Sequence, residues 1–135
     1  MINENEMILP TILKGKVVHG KALGRTVGMP TANLHVEEGK LPPAGVYAAR
    51  VKVRGKTYCS VTNVGLRPSV DRDQNLTVES FILDFNEDIY GEQMEVEIVK
   101  FLRGIRKFPD LEAVSKQVQK DIEEARMFLE EMHGF

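Results

Sequence analysis

The chain has 135 residues, 42% hydrophobic and 28% charged, with a net charge of −2. That is the size and balance of one soluble globular domain; it excludes a disordered chain and a generally basic polyanion binder. No stretch approaches the ~20 apolar residues of a membrane-spanning helix, and the single cysteine, Cys59, excludes an intrachain disulfide.

The opening "MINENEMILPTIL" has neither a basic start nor a long apolar run, so no signal peptide is expected and residues 1–10 read as a loose leader. With one cysteine and no targeting segment, a cytoplasmic protein is expected. Ile12 to Gly20 is strand-like and ends at a glycine.

Next comes "HGKALGRTVGMPTANL", His19 to Leu34, with its glycines, basic residues and a Thr/Asn pair after a proline. It is not a P-loop. "GKALGRT" is one residue short of G-x-x-x-x-G-K-[ST], has Arg in place of Lys, and leads into a proline that a helix is unlikely to run through. In an extended segment Thr31 and Asn33 point the same way. Their hydroxyl and amide oxygens are hard donors suited to Mg²⁺. On spacing alone, an ordinary surface loop explains the stretch better.

"PPAGVYAARVKVRGKTYCSVTNVG", Pro42 to Gly65, reads as a β-hairpin with its turn near Gly55. Tyr47, Ala49, Val51 and Val53 fall on one face, and Arg50, Lys52 and Arg54 on the other. "LRPSVDRDQN" is a turn-rich loop. "LTVESFILDF" (76–85) and "QMEVEIVKFLR" (93–103) are strands joined by "NEDIYGE". Thr77, Glu79, Phe81, Leu83 and Phe85 are expected on one face.

After Pro109 the period changes. Leu111, Val114, Val118, Ile122, Ala125, Leu129 and Met132 recur at three- and four-residue steps, one face of a helix, with Asp110 as its N-cap. The charged residues of this helix read as a solvated face. Five or six strands without intervening helices predict an antiparallel sheet, and closure into a small barrel would remove its edges. The expected fold is all-β with an appended C-terminal α-helix, in one domain over 1–135: barrel 12–103, helix 110–133.

"GKVVHGKALGRTVGMPTANL" resembles the signature of the riboflavin kinase (flavokinase) family, including its P-T-A-N motif. The likeness continues in order through "PPAGVYAARV", "TNVGLRPSV", "VESFILDFNEDIYGE" and "VKFLRGIRKFPDLEAVSKQVQKDIEEAR", from about Lys14 to Arg126. The resemblance implies a six-stranded Greek-key barrel with a C-terminal helix. It implies transfer of the γ-phosphoryl of ATP to the 5′-hydroxyl of riboflavin, with Mg²⁺ or another divalent cation. In many bacteria this domain is one half of a bifunctional FAD synthetase. The other half's H-x-G-H-type nucleotide motif is absent from this sequence, so no FAD synthesis is implied.

Position by position, the resemblance makes Glu79 the catalytic carboxylate and Thr31 and Asn33 the metal contacts. Gly20, Gly24, Arg25, Gly28, Thr31 and Tyr90 match nucleotide contacts. Arg103, Arg106 and Phe108 match the flavin segment, where an aromatic face and guanidinium planes suit a flat ring. Each has an ordinary structural alternative: a solvated arginine for Arg25, a turn aromatic for Tyr90, a rim glutamate for Glu79. The chain departs from the family at Gly104–Ile105, where a proline with a polar or acidic residue is usual, at Phe81 (commonly histidine) and at Ser69 (commonly threonine).

Asn63 and Arg67 are expected to fix loop and barrel, and Cys59 to pack. His19, His35 and His133 lack metal-ligand spacing. Riboflavin and ATP are the expected partners of a monomer that binds neither nucleic acid nor membrane. The competing readings are a barrel that binds flavin or nucleotide without turnover, and a nucleic-acid-binding barrel. The slightly acidic charge and the lack of Trp oppose the second.

Overall fold

The computed structural model describes residues 9–18, 31–67 and 75–132. The chain forms β1 (Thr11–Val18), β2 (Ala32–Glu38), β3 (Gly45–Val53), β4 (Lys56–Arg67), β5 (Asn75–Ile82), β6 (Gln93–Arg103) and α1 (Leu111–Met132). The strands close into an antiparallel barrel in the order β1-β2-β5-β4-β3-β6. β3, β4 and β5 are successive neighbours and β6 returns beside β3, which is Greek-key connectivity.

Alternation decides which residues fill the barrel. Leu13 and Val17, Tyr47 to Val53 at every second position, Val64, Val78, Ile82 and Met94, Val96 and Ile98 make one interior cluster. The hydroxyls of Ser60, Thr62 and Ser80 share this interior. Ser60 and Thr62 lie 3.0 Å apart and Thr62 and Ser80 2.8 Å apart, so each finds a partner without water.

The predicted hairpin forms with Arg54 and Gly55 at its tip, both at positive φ (54° and 74°), as a two-residue hairpin loop demands. The Arg54 guanidinium then reaches across to Glu92, to Glu87 at 2.8 Å and to the carbonyl of Asp88 at 3.0 Å. β3 is buried on both faces at its start, because Val46 and Ala48 lie under α1 with Val61, Ala125 and Leu129. The Asp110 side chain accepts the N–H of Ala113 at 2.8 Å, the predicted cap.

Three expectations are corrected. β2 was not anticipated as a strand, since Asn33, His35, Glu37 and Glu38 give its sequence few apolar positions. β5 stops at Ile82 rather than Phe85. Leu83 and Asp84 turn the chain, Asp84 taking a positive φ of 56° that short polar side chains tolerate. Thr77, Glu79 and Phe81 therefore share the outer face without Leu83 and Phe85. Leu111, assigned to the helix's packed face, is 58% exposed, at the first turn.

Tyr47 is fully buried and its hydroxyl donates to the Pro43 carbonyl at 2.6 Å. Burial pushes its phenol up to about 12. The unfolded chain ionises Tyr47 near 10, so this stabilisation is complete below pH 10 and is lost as pH rises towards 12. Urea titrations from pH 8 to 12 should show wild type losing on the order of 2 kcal/mol more than Tyr47→Phe across that window.

Candidate active site

The outer face of the barrel carries the predicted chemistry. Paired residues on neighbouring strands point to the same side, and the pairing runs Asn33↔Glu79, Glu79↔Asn63, Asn63↔Val46, Val46↔Arg103. One lateral row therefore joins the P-T-A-N strand to the end of β6.

Glu79 is 8% exposed. Burying a carboxylate is costly unless its oxygens are bonded, and Thr31 supplies the bond: its hydroxyl donates to Glu79 Oε1 at 2.7 Å. Asn33, two residues on, stands opposite Glu79 in the register. The structure thus brings together Thr31, Asn33 and Glu79 from positions far apart in sequence.

A cavity of about 360 Å³ opens beside them at the barrel's mouth. Its walls include Val17 and Val18 from β1, Thr31, and the 85–90 segment with Tyr90, which is 55% exposed. That places Tyr90 and Thr31 on one cavity. Gly20, Gly24, Arg25 and Gly28, the other predicted nucleotide contacts, lie outside the described residues.

At the far end of the row the predicted flavin residues also cluster. The Arg103 and Arg106 guanidiniums lie 5.6 and 5.1 Å from the Phe108 ring centre. Arg103 is committed to a fork on Asp121 of α1, Nε at 3.0 Å and Nη2 at 2.9 Å. Gln117 donates to Asp121 at 3.0 Å and accepts from Arg106. Arg103 therefore anchors the loop through its charge and offers its planar face beside Phe108.

One residue was assigned otherwise from sequence. Asp121 was placed with the solvated charges of the helix but is 2% exposed. The available signal was its position, four residues before Ala125 and three after Val118, on the apolar stripe. Asn63, expected to fix loop and barrel, has a buried Oδ1 with no hydrogen-bond partner among the described residues.

A larger cavity of about 540 Å³ lies elsewhere, on the wall of β1, β3, β4 and β6, among Ile12, Lys52, Thr57 and Glu95. None of the predicted site residues among the described residues lines it. Cross-strand pairs Arg50–Glu97 and Lys14–Glu95 occupy that wall, a surface ladder of opposite charges.

The family model described as "Flavokinase: Riboflavin kinase" matches residues 7–129. The chain belongs to the riboflavin kinase family. Among its relatives, the bifunctional riboflavin kinase/FMN adenylyltransferase of Listeria monocytogenes is 41% identical over 120 residues, 88% of this chain and 38% of that protein. The RNA-binding riboflavin kinase RibR of Bacillus subtilis is 42% identical, over 83% of this chain and 48% of its own length. The crystal structure of riboflavin kinase from Trypanosoma brucei superposes with a TM-score of 0.63 at 26% identity, over 91% of this chain and 82% of that one. The chain thus spans well under half the length of its bifunctional relatives and most of the trypanosomal riboflavin kinase.

In this riboflavin kinase family member the Arg103–Asp121 fork fastens the 103–108 segment to α1. Asp121→Ala should leave a half-buried guanidinium unpaired and lower the unfolding free energy by about 3 kcal/mol. Thermal melts measure this, and proteolysis should cut between 103 and 110 sooner than in wild type.

Proposed function

We propose that this chain transfers the γ-phosphoryl of ATP to the 5′-hydroxyl of riboflavin, giving FMN and ADP. The observation that carries it is the 2.7 Å bond from the Thr31 hydroxyl to Glu79 Oε1, in a row that leads to the flavin-side residues. That bond holds the carboxylate by Oε1, and in this reading Oε2 receives the proton. Phosphoryl transfer needs an aligned acceptor hydroxyl and stabilised phosphate charge more than covalent help. In this reading Glu79 takes the proton of the 5′-hydroxyl as its oxygen bonds to the γ-phosphorus, and the β–γ bridging bond breaks to release ADP.

The nucleotide occupies the 360 Å³ cavity, with Tyr90 against it and Thr31 at its inner wall. The residues fit a divalent cation of a particular kind. A hydroxyl, a carboxamide and one carboxylate are too few to cage a metal, and suit Mg²⁺ that keeps its waters and shares the substrate's phosphates. Bound so, it would neutralise phosphate charge. Thr31 and Asn33 would hold it, and Arg103, Arg106 and Phe108 would frame the ring.

The reading extends to a cytoplasmic monomer whose partners are these small molecules. The net charge of −2 gives no general field for nucleic acid. No helix among the described residues is long and apolar enough to cross a membrane.

Incubation with riboflavin, ATP and Mg²⁺, followed by chromatography, should yield FMN and ADP in equal amounts. Retained riboflavin under all divalent cations would leave a binding barrel without turnover. Glu79→Gln should still bind riboflavin and ADP yet turn over roughly 10²-fold more slowly or worse, the scale of losing a general base. A near wild-type rate would remove Glu79 from that role. Thr31→Ala and Asn33→Ala should weaken ATP binding in calorimetry only when Mg²⁺ is present. An unchanged Mg²⁺ dependence in both would overturn the metal assignment.

A further inference from the structure

Asn63 is the polar side chain that phosphoryl transfer leaves without a task. Its neighbours are the two ends of the proposed reaction. On one side it faces Glu79 across the β4–β5 ladder, and on the other the row continues through Val46 to Arg103. Its Oδ1 is buried and makes no hydrogen bond within the described protein. A buried acceptor without a donor costs stability, and such groups in native proteins ordinarily have a partner, protein or otherwise.

Gly65 lies two residues beyond Asn63 along the same face, and a Cβ there would stand 3.2 Å from Thr77 Oγ1 and 3.8 Å from Ile105 Cδ1. The segment after β6 therefore overhangs β4 just beyond Asn63. In the lateral row Asn63 thus stands between Glu79 and the Arg103 end.

We infer that Asn63 determines specificity for the polyol tail of the flavin, its Oδ1 accepting a hydrogen bond from the ribityl hydroxyl on C3′ or C4′. This rests on the kinase reading above. With the terminal hydroxyl at Glu79, Asn63 is one strand spacing away, about 4.8 Å. The hydroxyls on the next two carbons of an extended polyol lie roughly 3–5 Å from the terminal one, given carbon–carbon bonds of about 1.5 Å. A site built to receive a hydroxyl discriminates against the analogue that lacks it, because the buried acceptor is then left unpaired.

The test compares riboflavin with its 3′-deoxy and 4′-deoxy analogues in wild type, Asn63→Ala and Asn63→Leu. The leucine variant keeps the branched shape and heavy-atom count, and thermal melts confirm folding of both. Wild type should prefer riboflavin over one analogue by roughly 10- to 100-fold in kcat/KM. In both variants that ratio should collapse to within about 3-fold, with KM for riboflavin rising more than kcat falls. A merely structural asparagine would slow all three substrates alike and keep the ratio. An unchanged ratio in the variants overturns the inference, as does a wild type indifferent to both analogues, in which case the carboxamide serves only water. If wild type makes no FMN, the kinase reading fails by itself. Flavin fluorescence quenching with the same three ligands then decides the role of Asn63 by the same ratios.

Discussion

Closure of the barrel is the constraint on which the rest depends. Once β1 pairs with both β2 and β6, every strand has two neighbours and no residue can change sides without breaking a ladder. The interior is committed to Leu, Val, Ile and Tyr side chains with a short seam of hydroxyls. Anything chemical must then stand on the outer face or at the mouth. Glu79 lies between Val78 and Ser80, both interior, so alternation alone turns its carboxylate outward. The P-T-A-N strand meets it there because β2 inserts beside β5 rather than beside β3.

The helix completes what closure begins. α1 covers the outer face over Val46, Ala48 and Val61, so the row from Asn33 to Arg103 passes beneath it at Val46. The helix supplies Asp121 and Gln117 to the loop after β6. A carboxylate on its packed stripe is tolerated because Arg103 meets it with two nitrogens, and pairing is the condition for burying a charge. The outer wall has, in effect, a chemical strip bounded by the helix on one side and the barrel's mouth on the other.

Much of this was legible in the sequence. Period-two alternation located β3 and β4, the run from Gln93 to Arg103 matched β6 end to end, and helical spacing located α1 with its Asp110 cap. The ordered motif blocks selected Thr31, Asn33, Glu79, Tyr90, Arg103, Arg106 and Phe108, and the fold gathers these at two ends of one strip. Three things were hidden for physical reasons. β2 carries too many polar residues to read as a strand, because its outer side, with His35 and Glu37, faces solvent rather than a core. Asp121 looked like one more helix charge, since its partner is 18 residues away in sequence. The want of a partner at Asn63 depends on what surrounds it in space, which no pattern of residue types encodes.

The two ends of the strip are fastened in different electrical media. At the end of β6, Arg103 meets a carboxylate that is almost wholly out of water. On the cavity side, the segment that carries Tyr90 is tied down by Arg54, whose contacts with Glu87 and Glu92 lie in solvent. Mobile ions reach the second set and not the first, with a screening length of about 8 Å at physiological ionic strength. The hairpin tip is thus a tether whose hold follows the surrounding electrolyte, while the helix clasp is indifferent to it. Ionic strength becomes a handle on one mouth of the molecule alone.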